Sequence, residues 1–255
     1  MKIDINSDMG EGFGPYRIGD DAALMDVVSS ANIACGFHAG DPVIMDRTVR
    51  MAREKGVGIG AHPGLPDLMG FGRRAIAMDT AEVEKHLVYQ IGALQGIAAA
   101  AGHHVTHVSY HAELGNMATA NSTVADVLAR AIAAIDRNLI VFSMPDTEVE
   151  RAAERAGLRV LTLFLADRAY TPQGELVSRK LPGAVITDVD AIRARVRQFL
   201  DDGSVTTIDS TRRSIRARSI LVHSDTPGAV TLGKAVRQEV ESGGARVVGA
   251  AELLA

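Results

Sequence analysis

A single cysteine, Cys35, stands in a chain of 255 residues, which excludes an internal disulfide and every CxxC metal knuckle. Tryptophan is absent and aromatic residues make up only 4%, so the interleaved stacking platforms of nucleic-acid binders are missing. No basic run breaks the even mixture of 27 basic and 31 acidic side chains, and a net charge of -4 gives no electrostatic footprint for a phosphate backbone. Nucleic acid is therefore not an expected partner. Long apolar runs are lacking too. Charge appears within the first four residues without an apolar h-region, and the most apolar later stretch, IGALQGIAAAAG, is too short to span a bilayer. The expectation is a cytoplasmic protein with no membrane partner.

What is present is alternation. Apolar runs of strand length alternate with amphipathic helical stretches, the pattern of βα units around a parallel sheet. Strands are expected at residues 2–6, 31–37, 57–62, 105–111, 139–142, 159–165 and 219–223, with shorter runs at 204–208 and 245–250. Helix punctuation is clear in places. Asp41 is a good N-cap with Pro42 behind it and Gly56 at the far end, and Asp79 with Glu82 forms a capping box for a long helix closed by Gly102. The longest irregular segment is 166–185. With no linker or composition shift, the economical expectation is one α/β domain over residues 1–255, a (β/α) barrel of seven to eight strands.

The first strand carries DINSDMGEG, in which period 2 puts Asp4, Asn6 and Asp8 on one side, away from Ile3 and Ile5. An EF-hand fails here, because its sixth position is Met9 and its twelfth is Pro15. Parallel α/β folds build their sites at the carboxyl ends of strands, and four expected ends carry histidine. They are CGFHAGD with His38 and Asp41, GIGAHPGLPD with His62 and Asp67, HVSYHAELGN with His111 and Asn116, and ILVHSDTPG with His223 and Asp225. The first strand ends in Asn6 and Asp8, the sixth in Asp167 and Arg168. One such histidine ordinarily makes a cap or loop hydrogen bond, but four at equivalent places in different units point to a shared polar site. His86, His103, His104 and His107 lack that context and read as surface or packing residues.

Carboxylates and neutral imidazoles suit proton transfer in the hydrolysis of an amide-like substrate, and Arg168 could hold a carboxylate bidentately. Asp8, His38 and His62 are also a ligand set for a divalent metal, although no helical HExxH or HxxxH accompanies them. Two other motifs are decoys. GAVTLGK fits the first seven positions of a P-loop, but Ala235 replaces the magnesium-binding hydroxyl and the segment falls inside a helix expected to start at Asp225, Thr226 and Pro227. Cys35, between Ile33, Ala34 and Phe37, reads as a packed thiol rather than a nucleophile.

Taken together, DINSDMGEGFG, ANIACGFHAGDP, GIGAHPGLPDLMGFGRR, ADRAYTPQGELVSRKLPGAVI and SILVHSDTPGAV resemble the successive blocks of the LamB/YcsF family, whose bacterial members serve as the A subunit of 5-oxoprolinase. The resemblance implies a TIM-like barrel related to the glycoside hydrolase/deacetylase superfamily. It implies ATP-dependent opening of 5-oxoproline to L-glutamate with two further oxoprolinase subunits, ATP and magnesium serving the complex; a homo-oligomer is compatible with this. A five-membered lactam is a stable amide, so phosphorylating its oxygen would make the ring carbon electrophilic before water attacks. Carried over by position, twelve residues fall on the family's motif residues: Asp8, His38, His62 and His111 are expected to be catalytic, and Asp4, Asn6, Asp41, Asp67, Asp167, Arg168, His223 and Asp225 to bind substrate.

The chain also departs from the family pattern. Where the family usually reads VKPHGALYN, this chain has VSYHAELGN, which puts Ser109 in place of lysine, Tyr110 in place of proline and Gly115 in place of tyrosine. Leu163 stands where a glutamate usually precedes VFADR, and Ser224 replaces a glycine. The missing lysine and glutamate could have been an ion pair. Two other readings stay open: a diverged binding or assembly subunit without turnover, and a metal-dependent amide hydrolase or deacetylase acting without ATP.

Overall fold

Lys2–Met9 forms strand β1, with Ile3, Ile5 and Met9 fully buried on the side away from Asp4, Asn6 and Asp8. In the computed structural model, which describes residues 1–255, the following elements are α1 (Asp21–Met25), β2 (Ser30–Ala34), α2 (Pro42–Lys55), β3 (Gly58–His62) and α3 (Thr80–Ala100). Then come β4 (Val105–Ser109), α4 (Ala112–Ala120), α5 (Ser122–Ile135), β5 (Ile140–Ser143), α6 (Glu148–Arg155) and β6 (Arg159–Leu165). The chain ends with α7 (Val189–Asp202), β7 (Ser204–Thr206), β8 (Arg212–Ser214), β9 (Ser219–Leu221), α8 (Ala229–Ser242), β10 (Arg246–Val247) and α9 (Ala250–Leu253).

Strands β1 to β6 pair in order and in parallel, and β9 joins β6 to β1. The register Asp4↔Ser219, Ile5↔Ile220, Asn6↔Leu221 closes a seven-stranded parallel barrel. Closure removes both sheet edges. Strand β10 adds to the amino end of β1 through Lys2↔Arg246 and Ile3↔Val247. The run at 204–208 does not enter the barrel: β7 turns back on β8 as an antiparallel hairpin. Ile5, Ile33, Ile59, Val108, Ile140, Phe164 and Ile220, one from each barrel strand, are wholly buried. Each such side chain contributes about 1.5–3 kcal/mol by leaving water.

Local chemistry explains the helix boundaries. Asp41 Oδ1 accepts from the backbone N–H of Val43 (2.8 Å) and Ile44 (2.9 Å), Pro42 occupies the first turn, and Gly56 ends α2 in the left-handed region at φ 68°. Asp79 Oδ1 accepts from the N–H of Glu82 at 2.7 Å to open α3. Helix α4 has no counterpart among the expected elements, and α1 is one short turn where the stretch DDAALMDVVSS reads as a longer helix. Helix α8 starts at Ala229 behind Gly228, later than expected, because Asp225 and Thr226 spend their side chains elsewhere. GAVTLGK therefore lies at and within a helix rather than in a phosphate-binding turn. Burial pushes the Cys35 thiol up to about 12, as suits a packed residue. No helix is long and apolar enough to cross a membrane.

Candidate active site

Inside the barrel, the polar side of β1 meets other polar side chains rather than solvent. Asn32 on β2 donates through Nδ2 to Asn6 Oδ1 and to Asp8 Oδ1, both at 2.9 Å. His107 on β4 donates through Nε2 to Asn32 Oδ1 at 2.9 Å, and its ring stacks on Phe142. Burial lowers its pKa to about 3, so it is a neutral donor and a packing residue, as the sequence suggests. Deeper still, Asp4 accepts from Ser29 (2.8 Å), Ser30 (2.6 Å) and Ser219, and Asn6 Nδ2 donates to Ser219 Oγ at 2.7 Å. These hydroxyl donors satisfy what would otherwise be a costly buried carboxylate. Asp4 and Asn6 are thus barrel supports and are not among the residues lining the mouth.

The carboxyl ends of the strands open into a cavity of about 580 Å³. Of the expected residues, Asp8, His62, His111, Arg168, His223 and Asn116 line it. His62 Nδ1 donates to the Ser109 carbonyl at 2.7 Å, and His111 Nε2 donates to the Phe71 carbonyl at 2.8 Å. Their other nitrogens, His62 Nε2 and His111 Nδ1, lie 3.0 Å apart. Asp8 Oδ1 is 3.5 Å from His62 Nε2. Burial lowers the pKa of both rings, strongly so for His111, where His38 and His62 add to it.

His38 stands behind this wall, 1% exposed, its ring stacked on His111 with centroids 3.7 Å apart. It does not line the cavity; its Nε2 is 3.3 Å from Glu11 Oε1, and its Nδ1 has no partner. Glu11 is the residue that sequence reasoning misses. It comes from the turn after β1, is 4% exposed, and accepts from Ser224 Oγ at 3.1 Å through Oε2. Burial first, then the Asp8 carboxylate, raises its pKa well above the usual range. Glu11, His38, His62 and His111 each place a ligand atom within 4.8 Å of the others, so this buried group could hold a divalent metal.

A second buried pair follows the adjacent strands β6 and β9. His223 Nδ1 lies 2.9 Å from Asp167 Oδ1, and Thr226 Oγ1 donates to Asp167 Oδ2 at 2.6 Å. Asp225 binds Arg73 at 2.5 Å and lies 3.6 Å from Arg179. Arg168 lines the cavity and is held by backbone carbonyls. Its Nε and guanidinium N–H groups donate to the carbonyls of Ala184 (3.3 Å) and Val177 (2.6 Å), so it braces the segment after β6. Burial, with Arg179 beside it, lowers its pKa to about 10. Arg73, Arg179 and Lys180, all from loops, supply further cations around the cavity.

Asp41 and Asp67 are not among the cavity-lining residues. Asp41 caps α2 and accepts from Gly14 N–H at 2.8 Å through its other oxygen. Asp67 accepts from Gly70 N–H (2.9 Å) and from Arg74, shaping the turn that carries Phe71 and Arg73. That turn is strained: Phe71 has φ 54°, and Gly72 has φ +63°, with a Cβ there falling 2.7 Å from His38 Cβ and 2.8 Å from His111 Cδ2. Ser109, Tyr110, Gly115 and Leu163, four of the five departures, all line the cavity.

Comparison with known proteins agrees with this architecture. Residues 3–255 match the model of the LamB/YcsF family. The chain is 66% identical to the first of the 5-oxoprolinase A subunits of Bradyrhizobium diazoefficiens, over 100% of both chains. It is 57% identical to the 5-oxoprolinase A subunit of Pectobacterium atrosepticum, over 100% of this chain and 99% of that one. The crystal structure of the lactam utilization protein from Thermus thermophilus superposes with a TM-score of 0.92 at 39% identity, covering 98% of this chain and 100% of that one. With the match running from the first strand to the last residue, the chain belongs to the LamB/YcsF family.

Proposed function

We propose that this protein is the A subunit of an ATP-dependent 5-oxoprolinase, opening the lactam of 5-oxoproline to L-glutamate together with two further subunits. The observation that carries the reading is full-length similarity to proteins named for that role, over a barrel mouth that pairs neutral imidazoles with buried carboxylates. The substrate is a small anion with an amide inside a ring. Arg73, Arg179 and Lys180 offer cations for its carboxylate and for any phosphoryl group that ATP places on the lactam oxygen. Asp8, His62 and His111 then face the carbonyl carbon, with Glu11 behind them, where a water must lose a proton and the ring nitrogen must gain one. His38 orients Glu11 from behind, and the Asp167–His223 pair, after the strand next to β1, is a second proton donor. The chain folds as one domain around this site, in the cytoplasm, with ATP and magnesium handled by the assembled complex.

The test is a coupled assay. With partner subunits supplied, ATP hydrolysis should depend on 5-oxoproline and release glutamate, and Asp8→Asn should slow it by about 10²–10⁴-fold without loss of fold. Tight ligand or partner binding with no turnover under any partner combination would instead support a role in assembly alone. Turnover of an amide without ATP would support a simple hydrolase.

A further inference from the structure

The His62–His111 contact cannot be an ordinary hydrogen bond between neutral rings. A carbonyl oxygen only accepts, so the 2.7 Å contact with the Ser109 carbonyl fixes the proton of His62 on Nδ1, and the 2.8 Å contact with the Phe71 carbonyl fixes that of His111 on Nε2. The nitrogens left over, His62 Nε2 and His111 Nδ1, are then both lone pairs, facing each other at 3.0 Å. Neither is satisfied by a neighbour. Glu11 Oε1 is 3.9 Å from the first and 3.5 Å from the second, and Asp8 Oδ1 is 3.5 Å from the first, all beyond good hydrogen-bond reach. Two lone pairs and two carboxylates converge on one buried space with no positive charge inside it.

We propose that this space is a divalent-metal site with His62 Nε2, His111 Nδ1 and Glu11 Oε1 as ligands, Asp8 on the open side, and His38 excluded from the ligand set. The triangle of these three atoms has edges of 3.0, 3.5 and 3.9 Å. Three ligands at the usual zinc bond lengths, arranged tetrahedrally, would sit about 3.4 Å apart, so a small adjustment closes the site. Both histidines already have the carbonyl partner on the distal nitrogen that metal-bound imidazoles typically have. His38 fails on geometry. An imidazole binds a metal in its own ring plane, and the His38 and His111 rings are stacked 6° from parallel, so they cannot aim lone pairs at one ion. Its Nε2 instead faces Glu11 Oε1 at 3.3 Å, where it orients a ligand. Two imidazoles and a carboxylate suit zinc and neighbouring first-row ions, and such a set leaves one position for water.

Metal binding is measured without substrate or partners, so its failure and that of the oxoprolinase reading are distinguishable. The full-length protein, stripped with a chelator and checked for native circular dichroism, is titrated with Zn²⁺ by calorimetry and with Co²⁺ by visible absorption. One ion per chain is expected, with tetrahedral Co²⁺ bands. His62→Ala and His111→Ala should abolish stoichiometric binding, whereas His38→Ala should keep one ion at an affinity reduced by about 10–100-fold, the usual effect of losing an orienting group. If a variant fails to fold, the wild type still decides. Zn²⁺ should move the ¹⁵N resonances of His62 Nε2 and His111 Nδ1 and leave both nitrogens of His38 free of metal. A folded wild type that binds no Zn²⁺ or Co²⁺ overturns the proposal, and so does metal coordination at His38; in the first case the pair shares a proton instead.

Discussion

At the scale of single residues, the site divides into groups that sequence position reveals and groups that it hides. The four strand-end histidines are legible because each follows an apolar run in its own βα unit, and three of them, with Asp8, line the cavity. His38 sits one ring too deep, a depth that no spacing encodes. Glu11 is hidden because it lies past the strand, where period 2 no longer says which way a side chain points. Arg73 and Arg179, both on loops, are hidden for the same reason. The Asp167–His223 pair makes a prediction at this scale. Burial alone would keep His223 neutral, but the Asp167 carboxylate outweighs it and raises the pKa above 6.5. Burial works against the Asp167 carboxylate too, yet the charge and hydrogen bonds of His223 and Thr226 hold its pKa below 3.8. The histidine's contribution is complete below its unfolded pKa and fades as pH rises through the raised value. That of the aspartate is present above its unfolded pKa and fades as pH falls. The pair therefore stabilises most between about pH 4 and 6.5. Urea denaturation of wild type against Asp167→Asn should give a stability gap that is largest in that window and narrows towards pH 9. A gap that widened on the alkaline side would contradict the pairing.

At the scale of elements, β6 is read from sequence to the residue, whereas α1 is shorter than expected and α4 goes unread. The reasons are physical. Ala112–Ala120 follows directly on the His111 strand end, so there is no separate start signal. The Asp225–Thr226–Pro227 start fails because the two polar side chains bind Arg73 and Asp167 instead, an outcome set by tertiary contacts that override capping preference. Asp41 offers a clean discrimination between a support and a substrate ligand. Asp41→Ala should cost about 0.5–2 kcal/mol in denaturation experiments by exposing the first turn of α2, while substrate-dependent turnover stays close to wild type. A large rise in KM at unchanged stability would return Asp41 to the substrate.

At the scale of the molecule, the alternation of strands and helices specifies a parallel sheet and the chain length favours a barrel, while closure at seven strands is what both leave open. The run at 204–208 has strand character, but it pairs with β8 because β9 already completes the ring between β6 and β1. The same ring explains why two distant departures can be discussed together: Ser109 on β4 and Leu163 on β6 line one cavity. Ser109→Lys and Leu163→Glu should each destabilise the protein by placing a lone charge against the wall. The double variant should recover a coupling of about 0.5–3 kcal/mol in a denaturation cycle; strict additivity would mean that the two positions do not meet. Both site imidazoles take their tautomer from backbone carbonyls, those of Ser109 and Phe71, and a carbonyl is common to every amino acid. Position 109 is thus free to exchange its side chain, and with it the cavity's charge and preferred ligand, while His62 keeps its proton on the same nitrogen. The barrel separates the part of its wall that can drift from the part that sets the protons.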